Sequence, residues 1–98
     1  MAMFYERRIG SFPVLERELQ HLDSDAGIRA LGTFEDRPCF IFVTRFVGMY
    51  TAMVYERGGT KKTPTVGKRI LAKEFGSRGE VATFLKAIMP RKVEAYLY

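Results

Sequence analysis

Residues 39–46, Cys-Phe-Ile-Phe-Val-Thr-Arg-Phe, constrain the fold of this chain more than any other segment. Six of the eight are apolar, and most are β-branched or aromatic. Such a run is too short for a buried helix and suits a strand. Alternation sends Cys39, Ile41 and Val43 one way and Phe40, Phe42 and Phe46 the other. A strand apolar on both sides is expected to be central and covered on both faces.

The segments around it keep the same period of two. In residues 28–34, Ile28, Ala30, Gly32 and Phe34 alternate with Arg29, Leu31 and Thr33. In residues 50–57, Tyr50, Ala52 and Val54 oppose Met53 and Tyr55, and residues 68–75 read as a returning strand. Glu35-Asp36-Arg37-Pro38 is a turn, Val47-Gly48 a tight link, and residues 58–67 a long polar loop bracketed by glycines. The result is a four-stranded antiparallel meander.

Helical periodicity flanks the meander. Ser11-Phe12-Pro13 is a start signal, with a capping serine and a proline in the first turn. Phe12, Leu15, Leu19 and Leu22 then share one face, and the turn formers of residues 23–27 end the helix. Ser77-Arg78-Gly79-Glu80 has capping-box spacing. It precedes Val81, Phe84, Leu85 and Ile88 on one face, and Pro90 is a stop. Val93, Ala95 and Leu97 alternate with Glu94, Tyr96 and Tyr98 as a closing strand, with residues 3–9 as its candidate partner. The expected fold is α+β, in the order α-β-β-β-β-α, with short terminal strands. At 98 residues it is one domain over the whole chain.

No apolar run approaches the roughly 20 residues of a membrane span. Residues 1–10 lack a signal peptide's apolar segment, because Glu6, Arg7 and Arg8 interrupt it. The single cysteine, Cys39, forms no internal disulfide and fits a reducing compartment. A cytoplasmic protein that makes no use of a membrane is the expectation.

Charge carries the functional information. Residues 1–49 hold six basic and seven acidic groups, whereas residues 50–98 hold ten and four. Residues 56–78 alone contain Arg57, Lys61, Lys62, Lys68, Arg69, Lys73 and Arg78 against Glu56 and Glu74, an excess equal to the +5 of the whole protein. Charge focused in this way points to an anionic partner. Cations on paired strands, with Thr60, Thr63, Thr65 and glycines between them, can follow a phosphate backbone. The same loop also suits a solvated hairpin tip. A sheet face is expected to gather Arg29, Leu31, Thr33, Met53, Tyr55, Arg57, Arg69, Leu71, Lys73 and Phe75, joined by Phe40 and Phe42. Mixed rings and cations make a stacking platform for bases. The alternatives are that the N-terminal helix covers this face, or that it pairs with a second copy.

Catalytic chemistry is poorly supplied. His21 lies on the polar side of a helix, and Cys39 starts an apolar strand with no histidine nearby. Asp23, Asp25, Glu35 and Asp36 match no calcium loop. No phosphate loop, dinucleotide motif or Cys/His metal spacing occurs, so no cofactor, metal or enzymatic activity is expected. Over residues 28–89 the meander-then-helix layout is similar in topology to the single-stranded-DNA-binding coactivator and Pur-type sheets, without a shared diagnostic motif. It also resembles many small phage-encoded inhibitors. A double-stranded-RNA-binding domain is disfavoured because the helix at Ser77 lacks a lysine cluster at its start.

The expected function is a non-enzymatic nucleic-acid-binding module that uses Arg57, Lys61, Lys62, Lys68, Arg69 and Lys73 for phosphates and Tyr55 for stacking. Two alternatives stand beside it. One is a protein-interaction module for an acidic surface, such as a phage- or plasmid-encoded inhibitor of a host nucleic-acid-handling complex. The other is a homodimeric regulatory protein, joined through the aromatic termini (Phe4, Tyr5, Tyr96 and Tyr98) as an open edge.

Overall fold

The structure is a computed structural model that describes residues 7–23, 25–60 and 62–98. The elements in chain order are β1 (Arg7–Ile9), α1 (Phe12–His21), β2 (Gly27–Phe34), β3 (Arg37–Phe46), β4 (Met49–Gly59), β5 (Pro64–Phe75), α2 (Arg78–Ile88) and β6 (Ala95–Leu97). The fold is α+β with a fully antiparallel sheet, as the periodicities predict. The sheet has six strands, however, ordered β1-β6-β2-β3-β4-β5. The closing strand pairs with Arg7–Ile9 as anticipated and is also laddered to β2 on its other side. β6 is therefore an interior strand and offers no open edge for a second chain; the described edge on that side is β1. Phe4 and Tyr5, and the pairing expected of residues 3–6, lie outside the described residues.

Local chemistry sets the helix ends. Ser11 Oγ accepts a hydrogen bond from the Val14 amide at 3.4 Å, and Ser77 Oγ accepts one from the Glu80 amide at 3.3 Å. Each serine thus satisfies a donor that the first helical turn leaves unpaired. Arg45 holds the other end of α1, donating to the carbonyls of Gln20 and Leu22 at 3.2 and 3.4 Å while its guanidinium lies over the Tyr50 ring. A cation placed there complements the negative end of the helix dipole.

Both helices lie on one face of the sheet. Leu15 and Leu19 of α1 and Val81, Leu85 and Ile88 of α2 form one core with Ile28, Ala30, Ile41, Val43, Ala52 and Val54. Register lines these strand residues up across the sheet: Ala30 opposes Ile41, Ile41 opposes Val54, and Val43 opposes Ala52. Gly32 lets α2 come close, since a Cβ there would sit 2.6 Å from the Ile88 carbonyl oxygen. Among the described residues, the opposite face carries no helix. The expectation that β3 is covered on both sides is therefore corrected, and the alternative in which α1 covers the aromatic face is set aside. The two apolar stripes pack against the same side of the sheet and against each other, leaving neither for the second face.

The connection between β4 and β5 also differs from the long loop expected over residues 58–67. Pairing continues through Arg57↔Val66, Gly58↔Thr65 and Gly59↔Pro64, so the strands reach almost to the tip. The turn is closed by Thr60, whose Oγ1 accepts from the Thr63 amide at 3.0 Å. Gly59 takes a left-handed φ of 74°, and a Cβ there would collide with the Thr63 carbonyl.

Candidate nucleic-acid interface on the open sheet face

The face away from the helices is built by the alternate residues of six strands. One row across the sheet reads Arg8, Tyr96, Arg29, Phe42, Met53 and Ala72, and a neighbouring row reads Leu31, Phe40, Tyr55 and Arg69. Arg29 brings its guanidinium 4.8 Å from the Tyr96 ring centroid and 5.9 Å from that of Phe40. Arg57 approaches Phe40 from the other side at 6.0 Å. Ring and cation thus alternate across the sheet. Phe40 is only 3% exposed on a face that no helix covers, because its neighbours' side chains enclose it. Phe42 meets Tyr55 edge to face at 5.7 Å, and Phe42, Tyr55 and Tyr96 remain half-buried. Attraction between a guanidinium and a ring holds the arginine stems down against the sheet.

The hairpin of β4 and β5 leaves the plain ladder at its far end. Register shifts fall between Val54 and Tyr55 and between Tyr55 and Arg57, where β5 carries extra residues. Bulges bend a strand and re-aim its side chains. Here Gly58, Gly59, Thr60 and Pro64 of the hairpin, together with Leu31, Arg57 and Tyr96, border a cleft of about 580 Å³. Pro38, Lys92 and Glu94 also border it, the last two facing each other at 3.7 Å.

The residues expected to form the site are only partly brought together. Tyr55 and Arg57 belong to the open face, and Arg69 stands across from Tyr55. Lys62 is exposed at the turn, and Lys61 lies outside the described residues. Lys68 and Arg69 border a separate depression with Arg37 and Glu56. Lys73 is on the helix side: it opposes Ala52 in the ladder, and its ammonium lies 5.3 Å from the Phe75 ring, which packs on Phe84 of α2. Leu71 and Phe75 share that side. The extra residue in β5 beside Ile70 reverses the alternation, which corrects the assignment of Leu71, Lys73 and Phe75 to the aromatic face. Among the described residues, Arg57, Lys62, Lys68, Arg69 and Lys73 make no ion pair; Glu56 is held instead by Arg37 at 3.3 Å.

Arg8, Lys92 and Tyr96 join the face without having been singled out as cations or stacking residues there. The signal for Tyr96 was its alternation with Ala95 and Leu97. At one end of the same face, the turn between β3 and β4 exposes Phe46 (72%) and Val47 (86%), with Met49 beside them. Burial raises the Cys39 thiol pKa above its ordinary 9.0, with the Arg57 charge and a backbone hydrogen bond at Gly32 acting against it. Buried and protonated, this thiol lacks the character of a nucleophile. No described helix is long and apolar enough to cross a membrane. Family models, curated proteins and solved structures all give no match to the chain.

Proposed function

We propose that this protein is a non-catalytic binder of single-stranded nucleic acid that lays the strand across the open sheet face. The observation that carries the reading is the alternation of Tyr96, Arg29, Phe40 and Arg57 on a face free of helices. Bases stack on rings and guanidinium planes, while exposed cations around them meet phosphates. Arg8, Lys62, Arg69 and Lys92 supply exposed charge at the margins of this face. A single strand is favoured over a duplex because half-buried rings on a sheet reach bases that are already unpaired. Lys68 and Lys73 act only at long range in this arrangement.

Fluorescence anisotropy with single- and double-stranded oligonucleotides at several salt concentrations tests the reading. About four phosphate contacts give a log–log salt slope of about −3 for a single strand. Tyr55→Ala or Tyr96→Ala is expected to weaken binding by about 1–3 kcal/mol. Arg57→Ala should flatten the salt slope, whereas Lys73→Ala should leave affinity nearly unchanged. A salt-independent affinity, or equal losses from Arg57→Ala and Lys73→Ala, contradicts the assignment.

The exposed Phe46, Val47 and Met49 favour one second reading, a module that docks on an acidic protein surface, since phosphate binding makes no use of them. That reading expects no oligonucleotide binding at any salt concentration.

A further inference from the structure

We infer that the cleft between β6 and the β4–β5 hairpin is a pocket for one guanine base, read by Glu94. The inference rests on the nucleic-acid reading above and adds a base preference to it. The cleft's volume, about 580 Å³, lies within the roughly 300–1,000 Å³ typical of small-molecule sites. Tyr96 and Glu94 border it from the β6 side, Gly58 and Gly59 from the hairpin, with Leu31 and Arg57 from the sheet between. Tyr96 and Leu31 offer the flat apolar contact that any base can use. Arg57 and Lys92 offer charge to the flanking phosphate. None of these distinguishes one base from another.

Glu94 does. Among the described residues it is the one carboxylate bordering the cleft, set among cations in a protein otherwise suited to polyanions. A carboxylate there opposes phosphate, so its place in a binding cleft calls for a donor on the ligand. An ionised carboxylate only accepts hydrogen bonds, through two oxygens side by side. Guanine is the base whose Watson–Crick edge presents two adjacent donors, N1–H and the N2 amino group; adenine and cytosine offer one amino group there, and thymine one imide N–H. Lys92 does not tie Glu94 up. Their side chains are 70% and 43% exposed at a separation of 3.7 Å, a solvent-screened pair that a ligand can rearrange at little cost. Gly59 keeps the opposite border free of side chains, since its left-handed backbone and the nearby Thr63 carbonyl exclude a Cβ.

The test is anisotropy with a labelled octathymidylate and variants carrying guanine, inosine, adenine or cytosine at one central position. A bidentate contact discriminates by roughly 5- to 150-fold, so central guanine should bind at least about fivefold tighter than thymine. Inosine, which lacks the N2 amino group, should lose most of that gain. Glu94→Gln should abolish the preference while affinity for octathymidylate holds or rises, because a negative charge has left the cleft. Guanosine monophosphate as a competitor, beside adenosine monophosphate, distinguishes a pocket that also takes the free nucleotide from one that takes guanine only within a strand. Equal binding of the guanine and thymine strands by the wild-type protein overturns the pocket and leaves the nucleic-acid reading intact, as does a preference that survives Glu94→Gln. Absence of binding to every oligonucleotide overturns both.

Discussion

Single side chains set local features of this fold, and three of them can be tested alone. The Tyr50 hydroxyl donates to the Leu19 carbonyl at 2.7 Å in a buried setting, joining β4 to α1. Tyr50→Phe is expected to cost about 1 kcal/mol, read by chemical denaturation, because the Leu19 carbonyl keeps a second donor in the Leu22 amide. Val47 stands at φ 51° beside Gly48 at φ 78° in a two-residue turn closed by Phe46 and Met49. A β-branched residue in the left-handed region is strained. As Val47 packs against little, Val47→Asn should stabilise the fold by about 1 kcal/mol. For Cys39 the sign follows from its raised pKa. The folded chain keeps the thiol proton to higher pH than the unfolded chain does. Below pH 9.0 both states are protonated and the contribution is constant. Above it the unfolded state ionises first, and stability falls with rising pH until the folded thiol also ionises. Denaturation midpoints of wild type minus Cys39→Ala, measured from pH 7 to 10.5, should show this decline.

At the scale of elements, close approach and register decide more than propensity. Gly32 sits under the end of α2, so Gly32→Ala should cost about 1–3 kcal/mol by overpacking, read as a lower thermal midpoint. Helices and strands were legible in the sequence because their stripes have clean periods: Leu15 and Leu19 at helical spacing, and Ile28 with Ala30 or Ile41 with Val43 at strand spacing. What was not legible is non-local. β6 inserts between β1 and β2; its pairing with β1 was legible, but three residues are too few for their pattern to name β2 as a second partner. The neighbouring apolar residues Ile70 and Leu71 hide the bulge in β5, so alternation counted through them puts Lys73 on the wrong face. Arg29 and Tyr96 are 67 positions apart in the chain, and only the β2–β6 ladder makes them a stacked pair. The candidate face was thus half visible, as residues of the right kind on strands of the right period.

For the whole molecule, the decisive fact is that two helices share one side of a six-stranded sheet. The fold spends both apolar stripes on a single core and leaves the reverse of the sheet with rings and arginines. The charge excess of the second half divides between that face and the helix side, which is why Arg57 and Lys73 should behave differently although the sequence groups them. Methyl-resolved NMR during titration with a single-stranded oligonucleotide tests this most directly. Shifts confined to Leu31 and Met53 on the open face, with Ala87 on the exposed side of α2 unmoved, are the result the account predicts. Movement of Ala87 while Leu31 and Met53 stay fixed would contradict it.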